Sequence, residues 1–267
     1  MGTIDISNKE FNTLSHLIYE ESGINIHIGK MELLKSKIAK RMRSTKISSS
    51  RDYLNYLMNN KAEVIEFIDT VTTNHSFFFR ENASIQKMVQ ALSLANAQST
   101  PKTFKIWCAA SSTGDEPYSV AVQMIEASLQ FKMLATDISH SVLNTAMRGV
   151  YSQERVRNVP VAILHKYFQK GLGKSAGLIR VKKEIMRHID FQKFNLITDP
   201  IPDEKFDVIL CRNVMIYFDE PTTEKVVNRL YNALKIGGFF IIGQAESLMN
   251  LKHHFKAVKN TPSTFQK

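Results

Sequence analysis

Three apolar, strand-like segments each end in residues that can contact a ligand. FKIWCAA runs into the turn SSTGDEP, FKMLATDI ends near Asp137, and FDVILCR ends at Arg212 and Asn213. Asp137 lies 23 residues after Gly114, a spacing that suits a carboxylate accepting hydrogen bonds from ribose hydroxyls. An Asp after a strand is, taken alone, more often a helix cap. Because ligands of open α/β sheets bind at the carboxyl ends of the strands, the three segments together favour an adenosine-bearing ligand.

The turn SSTGDEP lacks the glycines that a dinucleotide requires. A pyrophosphate lies against backbone N–H groups at a helix N-terminus, in a turn of the GxGxxG type. Here Gly114 is the only glycine, and Asp115 and Glu116 stand where the phosphate would bind. These carboxylates repel a phosphate and attract an ammonium or sulfonium group. The turn therefore predicts S-adenosylmethionine, which carries adenosine, an ammonium group and a cationic sulfur, but no phosphate.

A second polar cluster lies in TNHSFFFRE, residues 73–81. Three consecutive phenylalanines next to an arginine do not fit an amphipathic helix. One interpretation is a hydrophobic linker that docks the preceding helices. Asn74, Ser76 and Arg80 are polar groups in that apolar setting, which favours a lid that closes over a ligand.

The pattern of elements predicts an α/β protein with a helical domain in front. Residues 1–75 are all-helical in pattern, with a capping box from Ser7 to Glu10 and a stop at Gly23. We assign 76–102 to a linker and lid, and 103–267 to a doubly wound, Rossmann-like domain of alternating strands and helices. A small antiparallel β insertion is expected at about 150–184. The pattern also predicts a helix over 221–235 that ends at Gly237 and Gly238, and a hairpin at the C-terminal end.

Composition narrows the functional classes. The net charge is +10, and two segments carry the excess: eleven Lys/Arg against three Asp/Glu in 148–193, and seven against one in 30–46. In the second segment Lys30, Lys37 and Arg41 form a stripe on one helix face, with Lys40 beside them. Basic surfaces of this kind bind acidic proteins or nucleic acids, or are simply solvated. The scattered histidines predict no metal site, and the two cysteines are expected to be buried, reduced thiols.

The sequence resembles the chemotaxis receptor glutamate methyltransferases, the CheR family. NHSFFFRE, WCAASSTGDEPYSVA, ATDISHSVLNTAMRGVY, FDVILCRNVMIYFD and GGFFIIGQAESL resemble family blocks in the same order. LLKSKIAKRMR near the N-terminus and RVRNVPVAILHKYF in the insertion extend the resemblance over nearly the whole chain. The departures are small: His75, Phe77, Asp115 and the pair Gln244–Ala245 replace residues that are common in the family.

The resemblance implies methyl transfer from S-adenosylmethionine to glutamate side chains of chemoreceptor cytoplasmic helices, with S-adenosylhomocysteine as the other product. It implies Arg80 and Tyr217 near the transferred methyl group. It also implies a set of residues that line the cofactor site: Asn74, Ser76, Arg80, Glu116, Asp137, Asn195, Leu196, Arg212 and Asn213. The basic stripe Lys30, Lys37, Lys40 and Arg41 would dock an acidic receptor helix.

Further expectations concern partners and location. We expect a monomer in the cytoplasm, recruited to membrane-bound receptor clusters without membrane insertion, and no nucleic-acid partner. Two alternatives stay open on the sequence alone. A nucleic-acid methyltransferase would use the same cofactor and positive charge, although no NPPY- or DPPY-type motif is present. The other alternative is an adapter that binds S-adenosylmethionine as a signal without catalysis.

Overall fold

The computed structural model describes residues 6–98 and 100–267, which form two compact units. The first unit comprises the residues up to Thr73 together with Tyr217–Thr222, and the second comprises Asn74–Ile216 and Thr223–Lys267. We call them the helical unit and the sheet unit.

In the part of the helical unit that the structure describes, the main α-helices are α1 (Asn8–Ser22), α2 (Met31–Thr45), α3 (Ser50–Asn59) and α4 (Lys61–Val71). The capping box that the sequence predicts is present, with Ser7 and Glu10 bonding each other's backbone N–H groups, and Gly23 ends α1 in the left-handed conformation at φ 72°. Leu34 and Ile38 of α2 are buried, as its apolar stripe predicts. Asp219 and Thr222, from the short returning segment, bond the Tyr19 hydroxyl of α1.

The sheet unit is built on a seven-stranded sheet in the order β6-β2-β1-β7-β8-β10-β9. Its strands are β1 (Phe104–Cys108), β2 (Phe131–Asp137), β6 (Ile189–Lys193), β7 (Phe206–Cys211), β8 (Leu234–Ile242), β9 (Lys256–Ala257) and β10 (Thr264–Gln266). Five strands are parallel, whereas β10 runs antiparallel to β8 and pairs with β9. This mixed sheet confirms the predicted Rossmann-like fold and its terminal hairpin.

Helix α5 (Asn82–Ala97) precedes β1, and α6 (Asp115–Glu126), α7 (His140–Arg148) and α10 (Glu220–Ala233) lie in the connections between the parallel strands. Every residue of β7 is buried, as in a strand covered on both faces. Trp107 of β1 is fully buried, and its indole N–H donates to the Thr136 hydroxyl at 2.9 Å. The parallel strands therefore deliver their carboxyl ends to one edge of a packed core.

The predicted insertion is confirmed as a separate three-stranded antiparallel sheet. The sheet is formed by β3 (Val150–Ser152), β4 (Phe168–Lys170) and β5 (Leu178–Val181), and the insertion also contains the short helices α8 (Val161–Tyr167) and α9 (Lys183–Met186). The strand order is β3-β5-β4, so β5 is central.

One predicted boundary is wrong. The glycine pair Gly237–Gly238 does not end the preceding helix: α10 ends at Ala233, and β8 begins at Leu234 and passes through both glycines. Gly237 has φ 77°, and the pairing of β7 with β8 shifts register between Phe206 and Val208. Glycines inside a strand mark such irregularities as well as helix ends, and the sequence pattern does not separate the two cases.

Candidate functional site

The turn between β1 and α6 brings backbone close to several neighbours. Gly114 has φ 88°, and a Cβ there would lie 2.9 Å from the Ala146 Cβ and 3.0 Å from the Tyr118 ring. Glycine therefore fits this position for two reasons, the left-handed backbone and the close packing. The next residues, Asp115 and Glu116, begin α6. Their carboxylates lie where a helix dipole favours negative charge, so this turn disfavours a bound phosphate.

Asp137 lies at the carboxyl end of β2 and reaches back to that turn. Its Oδ2 accepts from the Ser112 backbone N–H at 2.8 Å, and its Oδ1 accepts from the Ser139 N–H at 3.0 Å. Ser112 itself is left-handed, with φ 46°. Asp137 therefore holds the loop after β1 in place, in addition to the ribose-binding role that its position predicts.

Arg212, at the end of β7, lies between two carboxylates. Its Nη1 donates to Glu116 at 2.5 Å, and its Nη2 donates to Glu81 at 3.1 Å. The Arg212 side chain is 1% exposed. Burial raises the pKa of Glu116, although the nearby Arg212 charge acts in the opposite direction. The sequence predicted Glu116 as a partner for a ligand ammonium group, and the structure places it in an ion pair with Arg212.

Glu81 is a central residue of the site that the sequence analysis missed. Its carboxylate also accepts from the Asn213 side-chain amide at 3.1 Å and from the Gln244 backbone N–H at 2.9 Å. Burial opposes ionisation of Glu81, but the hydrogen bonds from Gln244 and Asn213 and the charge of Arg212 outweigh it and lower the pKa. The signal available in the sequence was the charged end of NHSFFFRE, directly after Arg80.

Glu246 has a comparable role at the next strand end. Its carboxylate accepts from the backbone N–H groups of Val214 and Met215 at 2.9 and 2.8 Å, and from that of Gly243 at 2.5 Å. It therefore connects the ends of β7 and β8. Asn213, in the loop it holds, is left-handed at φ 59°.

The segment 74–81, which the sequence predicts as part of a lid and which we call the lid segment, is anchored on the sheet unit. The Phe79 N–H donates to the Ser119 hydroxyl of α6 at 2.9 Å, and Phe79 is left-handed at φ 58°. Arg80 donates to the His75 carbonyl at 3.0 Å and lies over the Phe77 ring at 5.6 Å. The Arg80 side chain is 28% exposed, so it is accessible to a substrate. Asn74 and Ser76 are half-buried in the same segment.

Asn195 and Leu196 follow β6. The Asn195 side-chain oxygen accepts from the Ile197 N–H at 2.9 Å, and the buried Leu196 presents its carbonyl to Arg229 at 2.6 Å. Because β6 runs parallel to β2, these two residues lie at the same edge of the sheet as Asp137. The carboxyl ends of β2, β6 and β7 thus bring Asp137, Asn195 and Arg212 to one edge of the sheet unit.

The chemistry of this edge fits S-adenosylmethionine. Four side-chain polar atoms of the described residues are buried without a hydrogen-bond partner: the Ser15 hydroxyl in α1, and, at this edge, the hydroxyls of Ser111 and Ser112 and the Nε of Arg212. Buried polar groups are normally paired, so unpaired ones along one sheet edge suit a polar ligand. The Asp137 carboxylate suits a ribose-bearing ligand, and the carboxylates of Asp115 and Glu116 disfavour a phosphate, although each is already paired with an arginine.

Tyr217 belongs to the helical unit. Its carbonyl accepts from the Asn25 N–H at 2.8 Å. The Tyr217 side chain lines a pocket within that unit, together with Ile24, Asn25, Ile26, Lys30, Leu33, Leu34, Lys37, Val71 and Thr73. Two residues of the basic stripe, Lys30 and Lys37, thus border the pocket. Burial and the neighbouring Lys40 lower the pKa of Lys37.

Arg41 differs from the other residues of the basic stripe. Its Nε and Nη2 donate to the two carboxylate oxygens of Glu63 at 2.9 and 2.8 Å, and Nη1 donates to Glu66 at 3.2 Å. Glu63 is 4% exposed and also accepts from the Tyr53 hydroxyl at 2.9 Å. The Arg41 charge is therefore already compensated, so Lys30, Lys37 and Lys40 supply the positive charge that is open to a partner.

Both cysteines are fully buried, and burial raises the pKa of each thiol well above its ordinary value. They are free thiols, as the sequence predicts. In residues 6–98 and 100–267, no helix is long and apolar enough to cross a bilayer.

A Rossmann-like sheet, an acidic helix start in place of a phosphate loop, and a carboxylate at the end of β2 are typical of S-adenosylmethionine-dependent methyltransferases. Comparison with known families agrees. Residues 74–264 match the model "CheR methyltransferase, SAM binding domain", and residues 9–72 match "CheR methyltransferase, all-alpha domain". The chain belongs to the CheR methyltransferase family.

Curated relatives match over most of their length. The "Chemotaxis protein methyltransferase" of Escherichia coli K12 is 34% identical over 260 residues, covering 94% of this chain and 88% of that protein. "Chemotaxis protein methyltransferase 2" of Pseudomonas aeruginosa is 33% identical, covering 96% and 92%. A "Chemotaxis protein methyltransferase" of Borreliella burgdorferi is 33% identical, covering 94% of this chain and 92% of that protein. These similarities support a methyltransferase that uses S-adenosylmethionine, and neither of the two alternatives.

Proposed function

We propose that this protein methylates glutamate side chains on the cytoplasmic helices of chemotaxis receptors and forms glutamate methyl esters. The observation that carries the proposal is the acidic start of α6, paired with Arg212 at the sheet edge, inside the region that matches the S-adenosylmethionine-binding family model. The names of the curated relatives support the choice of chemotaxis receptors as substrates. We place the reaction in the cytoplasm, at receptor clusters, and expect a monomeric enzyme.

The proposed cofactor contacts follow the sheet edge. Asp137 accepts hydrogen bonds from the ribose hydroxyls, and Glu116 favours the ammonium end. Arg212 keeps Glu116 oriented, because its Nη1 donates to the Glu116 carboxylate at 2.5 Å. The remaining proposed contacts are those of Asn74, Ser76, Arg80, Asn195, Leu196 and Asn213.

The chemistry requires little of the protein beyond placement. When bound, S-adenosylmethionine supplies an electrophilic methyl group. An ionised glutamate carboxylate is already a nucleophile, so the reaction requires no general base. The protein's contribution is then in-line positioning and exclusion of water. Arg80 orients the incoming carboxylate through charge-assisted hydrogen bonds, and Tyr217 stays the second predicted catalytic residue.

Docking of the receptor is assigned to the basic stripe. A receptor helix with several methylatable glutamates is acidic, and opposite charge speeds encounter and sets register. Lys30, Lys37 and Lys40 carry this role. Arg41 stays a predicted contact, but its bonds to Glu63 suit it to holding α2 in place.

The direct test is incubation with methyl-labelled S-adenosylmethionine and a receptor cytoplasmic fragment, followed by mild alkaline hydrolysis. A glutamate methyl ester releases volatile labelled methanol, whereas a methylated nitrogen keeps its label. The control is a receptor fragment with its candidate glutamates changed to alanine. Label that is retained through base, or equal label on the control fragment, would refute the proposal.

A further inference from the structure

Arg155 extends from the β insertion to the cofactor turn. It lies in a short 3-10 helix, Gln153–Val156, directly after β3. Its Nε donates to Asp115 Oδ1 and its Nη2 to Asp115 Oδ2, both at 2.9 Å. Asp115, the first residue of α6, has a fully buried side chain. This two-bond geometry matches a guanidinium to a carboxylate and neutralises a buried charge next to Glu116.

The same guanidinium also reaches the lid segment. Arg155 Nη2 donates to the Ser76 carbonyl at 3.1 Å and contacts the Thr113 hydroxyl. Thr113 in turn donates to Asp115 at 2.6 Å. One side chain of the insertion therefore bonds both the turn 113–115, directly before the predicted cofactor residue Glu116, and the segment 74–81, which contains the predicted contacts Asn74, Ser76 and Arg80.

A second contact from the insertion reinforces this arrangement. The buried Tyr151 donates its hydroxyl to the Thr113 carbonyl at 2.6 Å. Phe78 of the lid segment packs edge-on against Tyr151 at 5.0 Å and against Phe168 at 5.5 Å. The insertion is therefore packed directly against the turn and the lid segment.

We propose that Arg155 is a positioning residue for the cofactor site, through which the β insertion fixes the β1–α6 turn and the lid segment. It acts through Asp115 and Ser76 and does not itself touch the reacting atoms. Without the guanidinium, Asp115 becomes a buried, uncompensated carboxylate beside Glu116, and the Ser76 carbonyl loses its donor. Both changes alter the surface that receives the cofactor. The inference rests on the proposed function only in taking this edge as the cofactor site.

The test is calorimetric binding of S-adenosylhomocysteine to the full chain, which needs no receptor. We expect Arg155→Ala to weaken binding about tenfold or more, as loss of charge-assisted hydrogen bonds implies. Arg155→Lys keeps the charge but loses the two-bond geometry and cannot also reach Ser76, so its affinity should fall between Arg155→Ala and the parental protein. The matched control is Arg157→Ala, because Arg157 is 71% exposed and its ion pair with Glu154 is long, at 3.9 Å. The control should bind with parental affinity.

A purely structural role would lower melting temperature and leave the affinity of the folded protein unchanged. A folded Arg155→Ala protein with parental affinity would therefore overturn the proposal. If Arg155→Ala does not fold, Arg155→Lys decides, and parental affinity in that variant overturns the proposal equally. Steady-state kinetics with a receptor fragment supply a second readout: KM for S-adenosylmethionine should rise while KM for the receptor stays constant. If the parental protein binds S-adenosylhomocysteine but methylates no receptor, the proposed function fails and the binding test still stands.

Discussion

The carboxylate of Glu81 accepts a hydrogen bond from the guanidinium of Arg212 at 3.1 Å, and the Glu81 carbonyl accepts another from the same Nη2 at 3.2 Å. Because Asn213 bonds the same carboxylate, Glu81 fixes two residues that are predicted to contact the cofactor. Glu81 is itself in the left-handed region at φ 47°, a conformation that costs a non-glycine residue about 1 kcal/mol or more. These contacts offset that cost and connect the lid segment to the end of β7.

Glu81→Gln should weaken S-adenosylhomocysteine binding by about tenfold. The amide removes the charge that pairs with Arg212, and its NH2 group must face donors, either the Asn213 amide on one side or Arg212 and the Gln244 N–H on the other. Loss of a hydrogen bond to a charged group has about this effect. Calorimetry checks the prediction, with Glu184→Gln on the exposed surface as the control. Equal affinity in the two folded variants would contradict it.

The acid stability of the protein should depend on Glu81. A carboxyl group whose pKa is lowered by folding stabilises the folded state above its ordinary pKa of 4.5, and this contribution is lost as pH falls through the folded value. The parental protein should therefore lose more stability than Glu81→Gln between about pH 5 and about pH 3. Glu116 has a raised pKa, mainly through burial, and contributes with the opposite sign in both proteins; the Glu81 charge is the smallest of the causes that raise it, so removing that charge changes this contribution little. Parallel curves of melting temperature against pH would refute this prediction.

Features of the fold that depend on neighbouring residues, such as helix ends, can be predicted from the sequence. Gly23 ends α1 as expected, because a left-handed residue after a helical stripe is a local signal. The bonds of Arg212 were not predictable in the same way. Its partner Glu81 lies 131 residues earlier in the chain, and only the folded sheet brings the two together. At Gly237 the local signal is itself ambiguous, because a glycine pair fits both the end of a helix and an irregular strand.

Asp137→Ala should weaken S-adenosylmethionine binding by about 1.5–3 kcal/mol, the range for a hydrogen bond to a charged group. The side chain occupies the ribose position after β2 and also holds the Ser112 N–H at 2.8 Å. Asp190→Ala is a suitable control, since Asp190 is exposed and its carboxylate bonds only to Gln192 among the contacts described. An unchanged dissociation constant by calorimetry in a folded Asp137→Ala protein would contradict the assignment.

Arg80→Ala should reduce turnover far more than stability. The guanidinium is partly exposed, bonds the His75 carbonyl and pairs with Glu81 at 3.6 Å; because Glu81 also pairs with Arg212, the loss of Arg80 leaves no buried charge unpaired. Misplacement of the attacking carboxylate should slow methyl transfer by on the order of tenfold to a hundredfold. Tyr217→Phe should have a milder effect, because only the hydroxyl is removed. Both variants are assayed at saturating cofactor together with thermal melts, and a parental rate for Arg80→Ala would exclude the proposed role.

Reversing the charge of the basic stripe should separate receptor docking from cofactor binding. We expect Lys37→Glu with Lys40→Glu to reduce receptor methylation by more than tenfold, because like charges in an interface can cost several kcal/mol. Arg41 is left unchanged, since its bridge to Glu63 stabilises the helical unit. The cofactor affinity of this double variant should stay close to parental.

The matched control reverses two exposed lysines on other helices, Lys9 on α1 and Lys61 on α4. Parental methylation should fall as salt rises, because exposed charges are screened over about 8–10 Å in physiological buffers. Nucleic-acid binding would share that salt dependence, so the deciding measurement compares ester formation on a receptor fragment with methyl incorporation into DNA or RNA. Incorporation into nucleic acid alone would overturn the receptor assignment, and equal loss in the control variant would show that net charge, and not the basic stripe, determines docking.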